Sequence, residues 1–392
     1  MVLDSPQATT GRRIWRATWI SLLVLVVVFH VAGGWYFGSV LVADGFEPAG
    51  PDTTPNVQVV TADADTVELR PTVDDLTALV RPGIFGLAHD GGYGQLGVIL
   101  SDGATVVRAF DPLDGGAPVV GGAARIDGFA FPPDPAAALG RPVETVTYPS
   151  PLGDFEAWQV DGTRPDWVIH VHGKGSSPSE AIRLMRPLAD ASYPQLVITY
   201  RNDEGQPADP SGYYQYGATE WEDVAAAVEY ARSQGSQRVI LVGYSTGASH
   251  VLAYLYRAPR ERVAAAVLDA PNIDFSTTVD FNAAQRQVPL LGIPIPQSLT
   301  FLAKWYASLR TGVNWESIDY VDRADRLAVP TLVFHGTEDR SVPPASSRAF
   351  QVERPQFVTL VEVGGAGHVE SWNVDPEAYE SRVLAFLQAS GA

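Results

Sequence analysis

The first long feature of the chain is an apolar run. No residue from Ala17 to Val42 is charged, and most carry aliphatic or aromatic side chains. As a helix the run would be ~39 Å long, enough to cross the ~30 Å hydrocarbon core of a bilayer with some tilt. Arg12, Arg13 and Arg16 precede it. Asp44, Glu47 and Asp52 follow it, and the next basic residue is Arg70. This asymmetry predicts a single-pass signal anchor over residues 17–42 of a cell-membrane protein, with residues 1–16 in the cytoplasm and everything after Val42 outside. Trp15, Trp19, Trp35 and Tyr36 suit the two interfaces. A cleaved signal peptide would have a shorter apolar core followed by a small-x-small site. The run here is longer, and Gly33–Gly38 offers no clean site. His30 is expected to be a tolerated interior residue, because nothing beside it in the sequence completes a proton relay.

After the run the texture changes twice. Residues 43–56 are rich in Pro, Gly and Thr and read as a linker. Residues 57–140 read as a small β-rich accessory region, in which Leu96–Leu100 and Thr105–Phe110 flank Ser101-Asp102-Gly103 as the arms of a hairpin. From 141 to 392 short apolar runs alternate with helical patterns. The runs are Val143–Tyr148, Phe155–Val160, Trp167–Val171, Leu196–Tyr200, Val239–Val242, Ala264–Leu268, Thr331–Phe334 and Phe357–Val363. Several are continuous in Val, Ile and Leu, as expected of parallel strands covered on both faces. The clearest helix is Thr219–Arg232, with a capping box predicted between Thr219 and Glu222. Strand and helix in alternation imply an α/β fold with a doubly wound, mostly parallel sheet.

The formal net charge is −18. A surface that acidic repels phosphate backbones, so nucleic acid is not an expected partner. Cysteine is absent, which excludes disulfides, a Cys nucleophile and thiolate metal sites. His170 and His172 alternate along one strand and would share a face, but no further His or Asp nearby completes a hydrolytic metal cluster. No metal and no cofactor is therefore expected.

The candidate chemistry lies on loops that follow strands. Arg238–Tyr256 reads as a buried strand running into Gly243-Tyr244-Ser245-Thr246-Gly247 and then a helix. This is G-x-S-x-G in the strand–turn–helix context that a nucleophile elbow requires. The turn is so tight that residues two away from the serine, Gly243 and Gly247, must lack bulk. It also places the hydroxyl at a helix N-terminus, where developing negative charge is favoured. A serine needs a base, and the base needs an orienting acid. Downstream, Val333–Asp339 is a strand and loop ending in an acid, and Val361–His368 is a strand and Gly-rich loop ending in a histidine. The expected roles are Ser245 as nucleophile, His368 as general base and then acid, and Asp339 as orienter. The strand Trp167–Val171 leads into His172-Gly173-Lys174-Gly175, a loop whose glycines let a backbone N–H point into the site. The expected oxyanion donors are the amides of Lys174 and Thr246, with His172 bracing the loop.

As an ordered set, HGKG at 172–175, GYSTG at 243–247, HGTEDRSVP at 335–343 and GAGH at 365–368 resemble the α/β-hydrolase superfamily over roughly residues 143–392. Within it they are similar to the lysophospholipase/serine-aminopeptidase-like branch, including membrane-anchored Bem46-like members. The resemblance implies an α/β-hydrolase fold, with the insertion at about 274–328 forming a cap. Some members take the acid from an earlier strand, where Asp269 and Asp274 stand here; Asp339 fits the commoner HGxxDxxVP pattern. The expected function is a serine hydrolase of carboxylic esters, acting on a small-molecule or lipid substrate. Acyl transfer, amide or peptide cleavage on the same fold, and a catalytically silent scaffold stay open as alternatives.

Overall fold

The apolar run forms one continuous helix, α1 (Gln7–Leu41), which ends in a π-helical turn at Val42–Phe46. The structure is a computed structural model that describes residues 7–73 and 77–392. Of the expected cytoplasmic segment, residues 1–6 and the side chains of Arg12 and Arg13 lie outside the description. From Ile14 to Phe46 the helix is long and apolar enough to cross a membrane, a property that a signal sequence shares.

The β-rich region is a closed six-stranded antiparallel barrel. Its strands are β1 (Val57–Ala62), β2 (Thr66–Pro71), β3 (Phe85–His89), β4 (Gly92–Ser101), β5 (Val106–Gly115) and β6 (Ala123–Asp127), with a one-turn helix α2 (Thr77–Val80) before β3. The order around the barrel is β1-β2-β5-β4-β3-β6, and β1 pairs with β6 to close it. β4 and β5 pair as the predicted hairpin. Side chains alternate inward along β1, β2 and the first half of β5, as a two-residue period dictates. Val57, Val59, Val67, Leu69, Phe85, Leu87, Leu96, Val106 and Phe110 make the barrel core. Arg108 occupies an inward position between Val106 and Phe110 and is fully buried. Its guanidinium donates to the carbonyls of Gly97, Ala78, Arg81 and Gly83, so the buried charge is solvated by backbone oxygens. Burial still pushes its pKa down to about 10.

A short helix, α3 (Pro135–Leu139), capped by Asp134, leads into the main sheet. Its strands are β7 (Glu144–Ser150), β8 (Gly153–Val160), β9 (Trp167–Val171), β10 (Gln195–Ile198), β11 (Val239–Tyr244), β12 (Val263–Asp269), β13 (Thr331–Gly336) and β14 (Val358–Val363). Helices α4 (Ile182–Asp190), α5 (Trp221–Ser233), α6 (Thr246–Leu255), α7 (Phe275–Ala284), α8 (Gln297–Thr311), α9 (Pro344–Glu353), α10 (Ser371–Val374) and α11 (Pro376–Ala389) lie between and after them. The sheet order is β14-β13-β12-β11-β9-β10-β8-β7. Strands β10, β9, β11, β12, β13 and β14 run parallel, and β8 and β7 are antiparallel additions at one edge. Every residue of β9, β11, β12 and β13 is buried, which is why these strands read as unbroken apolar runs. The order reverses at β9, which has β10 on one side and β11 on the other. Open α/β sheets bind ligands in the crevice beyond the carboxyl ends of the strands at such a switch point.

The helix predicted at 219–232 is α5, but its capping box does not form. The Thr219 hydroxyl donates to Asp209 at 2.7 Å, and Glu222 pairs with Arg201 at 2.9 Å. Arg201 is buried and also bound by Asp209 and Asp223. This charged network outcompetes a local cap, which is worth only about 1 kcal/mol.

The chain divides into two compact units. One comprises the N-terminal segment to Glu47 together with Val279–Asn314; the other comprises Pro48–Thr278 together with Trp315–Ala392. The larger unit holds the barrel and the main sheet. In the smaller unit α8 lies along α1, and the two run in the same direction. A Cβ on Gly33 would stand 2.8 Å from Leu299, one on Gly34 would stand 2.9 Å from Leu302, and one on Gly38 would stand 2.6 Å from Tyr306. The glycines let the two backbones approach, as small residues do at helix contacts in membranes. His30 donates from Nδ1 to the Val26 carbonyl at 2.8 Å, leaving Nε2 to accept from the Ser298 hydroxyl at 3.0 Å. Of the insertion expected at about 274–328, residues 279–314 fall in the smaller unit and residues 274–278 and 315–328 in the larger.

Candidate active site

Ser245 stands between β11 and α6 with φ 49° and ψ −114°, a backbone conformation that costs a non-glycine residue energy and marks functional turns. The flanking glycines permit it. A Cβ on Gly243 would come within 2.6 Å of the Ala248 Cα, and one on Gly247 within 2.2 Å of the Val171 carbonyl oxygen. The turn is held by the Ser245 amide donating to the Asp269 carbonyl at 3.0 Å and by the Ser245 carbonyl accepting from the Asn272 amide at 3.1 Å.

His368, on the loop after β14, places Nε2 2.8 Å from the Ser245 hydroxyl. Its Nδ1 lies 2.7 Å from Asp339 Oδ2. Asp339, on the loop after β13, is buried. Its Oδ1 accepts from the amides of Ser341 and Val342 at 2.8 and 2.9 Å. Burial alone would raise the Asp339 pKa, but the facing His368 and the bonds from His335, His368 and Val342 hold it well below the usual carboxylate range. Burial alone would lower the His368 pKa, and Asp339 overcomes it and leaves the imidazole raised. Ser245, His368 and Asp339 thus form one hydrogen-bonded chain, in the tautomer that leaves Nε2 free to take the hydroxyl proton.

Asp269 and Asp274 make other bonds. Asp269 is buried, accepts from the Ser371 hydroxyl at 2.8 Å, and is pushed up to about 6 by burial. Asp274 accepts from the Thr277 amide at 3.0 Å and from its hydroxyl.

The loop after β9 packs on the elbow, where a Cβ on Gly173 would lie 3.2 Å from the Ser245 Cβ. Thr246 opens α6, where the first amides of a helix have no intrahelical acceptor. Lys174 lies on the same loop, its ammonium 5.7 Å from the centre of the Tyr214 ring. Gly175 adopts φ 66°, in the left-handed region. His172 braces the loop. It bonds the Gly173 carbonyl at 2.9 Å and Asp203 at 2.9 Å, and it stacks on Tyr200. Burial works against its charged form, but Asp203 and the Gly173 carbonyl bond raise its pKa. His170 bonds Gln195 at 3.0 Å instead, and burial lowers it to about 4. The two histidines therefore serve different partners.

Three supporting residues were not singled out from the sequence. Glu180 Oε2 accepts from the Gly173 amide at 2.8 Å and so pins the loop after β9. His335 lies 3.3 Å from Asp339 Oδ2 and bonds Ser347 at 2.7 Å; it stands in the quoted HGTEDRSVP motif, which was the available signal. Arg81 comes from the turn before β3. It ion-pairs with Glu370, and its Nη2 lies 3.8 Å from Glu338. No local sequence pattern announces this contact between the barrel and the loops that carry His368 and Asp339.

This arrangement is an α/β sheet with Ser245 on a strained turn after β11, beside the switch point of the strand order. Residues 168–382 match the model of the alpha/beta hydrolase family, and the chain belongs to that family. Among its curated relatives are a non-heme chloroperoxidase of Streptomyces lividans, 27% identical over 58% of this chain and 98% of the relative. A bifunctional esterase/perhydrolase of Acinetobacter calcoaceticus is 26% identical over 43% of this chain and 72% of its own length. Among solved structures, a Pyrococcus furiosus esterase superposes with a TM-score of 0.51 at 22% identity, covering 65% of this chain and 95% of the esterase; at that identity the likeness concerns the fold.

Proposed function

We infer that the protein is a serine hydrolase of carboxylic esters. The observation that carries this reading is the hydrogen-bonded chain from Ser245 through His368 to the ionised Asp339, with the serine on a strained elbow. His368 takes the proton as Ser245 Oγ attacks the ester carbonyl. The amides of Lys174 and Thr246 are the proposed donors to the oxyanion, set where charge develops. The tetrahedral intermediate collapses, His368 protonates the leaving alkoxide, and an acyl-enzyme on Ser245 remains. Water, deprotonated by His368, then releases the carboxylic acid and restores the serine. The esterase named among the relatives is consistent with this chemistry. The motifs also favour a place near the lysophospholipase/serine-aminopeptidase-like branch. The apolar α1 and the charge asymmetry around it support a membrane anchor with the enzyme on the outer face.

The test is labelling of the purified chain with a fluorophosphonate probe, followed by turnover of p-nitrophenyl esters of increasing chain length. Adduct on Ser245 with ester turnover is expected. A folded chain that neither labels at Ser245 nor cleaves any ester would sink the reading. Faster cleavage of anilides than of esters would favour the peptidase alternative.

A further inference from the structure

We propose that the insertion Val279–Asn314 is a second membrane element, which dips into the outer half of the bilayer beside α1 and presents a face of its own to lipid acyl chains. The proposal rests on the reading of α1 as a membrane anchor.

Depth follows from the packing register. Ser298, at the start of α8, meets His30, and Tyr306 meets Gly38. His30 lies near the middle of the uncharged run 17–42. The end of the loop that enters α8 therefore stands level with the middle of that run, and α8 rises from there alongside the outer half of α1, which extends ~16 Å beyond His30 to Leu41.

The exposed surface at that depth is apolar. Phe301, Trp305 and Leu309 are 68%, 58% and 65% exposed, and their spacing of four puts them on one stripe of α8. Leu290 is fully exposed at the tip of the loop, and Leu291 and Ile293 are exposed beside it. The opposite face of α8, with Leu299, Ala303 and Ala307, is buried. A groove of about 640 Å³ between α1 and α8 is lined by Val26, Val27, Val31, Leu302, Trp305 and Tyr306, among others, and continues this surface onto the anchor.

Much of the loop's backbone is satisfied internally, as a medium without water favours. Pro289, Pro294 and Pro296 have no N–H to satisfy. The amides of Leu291 and Gly292 donate to the Val288 carbonyl, that of Val288 to Ile293 and that of Ile295 to Arg286. Charges in the insertion are paired within the unit: Lys304 with Asp280 at 2.8 Å and Arg286 with Asp44 at 3.5 Å. Arg310 lies in the last turn of α8, at the rising end, where a cation reaches the headgroups. On this proposal the insertion docks into the membrane beside α1.

The chain has no cysteine, so single thiols report single positions. Full-length Leu290→Cys, Phe301→Cys, Val24→Cys and Val352→Cys would each carry an environment-sensitive fluorophore in phosphatidylcholine/phosphatidylglycerol vesicles containing nitroxide-labelled acyl chains. Val352 is 75% exposed on α9 of the larger unit and serves as the aqueous reference; Leu291→Cys repeats the loop measurement. Labels at 290 and 301 should lose emission about two-fold or more, as the label at 24 in α1 does, while the label at 352 keeps it. Labels at 290 and 301 that behave like 352, with 24 quenched, overturn the inference and leave the anchor standing. A label at 24 that escapes quenching overturns the anchor, and this inference with it. Labels at 290 and 301 shielded from both nitroxide lipid and aqueous iodide mean that protein covers the face, which also overturns it.

Discussion

Arg81 of the barrel ion-pairs with Glu370, two residues beyond His368, and Glu370 in turn accepts from the Gly367 amide at 3.0 Å. Arg108 secures the other side of this contact by binding the carbonyls of Ala78, Arg81 and Gly83. The barrel is therefore coupled to the loop that aims the imidazole. Misplacing a reacting group by about 1 Å costs up to ~100-fold in rate. Arg81→Ala should accordingly lower kcat about ten- to hundred-fold with little change in KM, and Arg81→Lys should recover part of it. Arg348→Ala, which removes an exposed pair with Glu362, should leave kcat alone. Equal losses in both variants, measured by steady-state ester kinetics, would reduce Arg81 to a general stabilising contact.

Ser245→Ala should abolish fluorophosphonate labelling and cut turnover by about 10⁴-fold or more. The substitution removes one hydroxyl from a turn already shaped by Gly243 and Gly247, so the melting temperature should stay within a few degrees. Wild-type turnover by the variant would assign the nucleophile elsewhere.

The two buried aspartates should separate cleanly. Asp339→Asn loses the group that fixes the imidazole tautomer, and kcat should fall about 10⁴-fold. Asp269→Asn keeps a side-chain acceptor for the Ser371 hydroxyl and should leave kcat within about ten-fold. The reverse ranking, on protein shown to be folded, would move the acid to β12.

The same electrostatics set a pH profile. In the proposed mechanism His368 must be neutral to accept the serine proton, and Asp339 raises its pKa above the ordinary 6.5. The acid limb of kcat/KM should therefore have its midpoint above that value, and in Asp339→Asn the residual activity should titrate at lower pH. Stability has two limbs of opposite sign. The raised His368 contributes stability that is present below its unfolded pKa and lost as pH rises through the folded one. The lowered Asp339 contributes stability that is present above its unfolded pKa of about 3.9 and lost as pH falls through the folded one. An acid limb of kcat/KM centred below 6 would contradict the pairing.

The contact between α1 and α8 has its own test. His30→Cys with Ser298→Cys places two thiols on facing turns of the two helices, and a short bifunctional thiol reagent should link them. Adding Gly38→Leu drives a side chain into Tyr306 and should reduce the yield several-fold. Unchanged cross-linking, read by mass spectrometry after proteolysis, would mean the helices tolerate the bulk and pack otherwise.

Much of the sheet was legible in the sequence because β9, β11, β12 and β13 are covered on both faces, and burial of that kind leaves unbroken Val, Ile and Leu. The positions of Ser245, Asp339 and His368 were legible because each follows such a strand on a glycine-bearing or tight loop. The closed barrel was not legible beyond its hairpin. Arg108 interrupts the apolar alternation of β5, and its stabilising acceptors are carbonyls from other segments. The capping box at Thr219 failed for a related reason, since Arg201, Asp209 and Asp223 meet only in the folded chain. The partner of α8 was hidden by distance: its glycines lie some 260 residues upstream, inside a run whose composition already had an explanation.

The division of the chain into units has a consequence for shedding. The backbone passes between the units three times, at 47–48, 278–279 and 314–315. One proteolytic nick in the linker 48–56 cuts only the first of these passages. The segment carrying α8 remains continuous with the enzyme and remains seated on α1 through Gly33, Gly34 and Gly38. With α1 as the proposed anchor, a clipped molecule would therefore stay moored as a two-piece complex. Its liberation would then depend on prising two helices apart rather than on the protease.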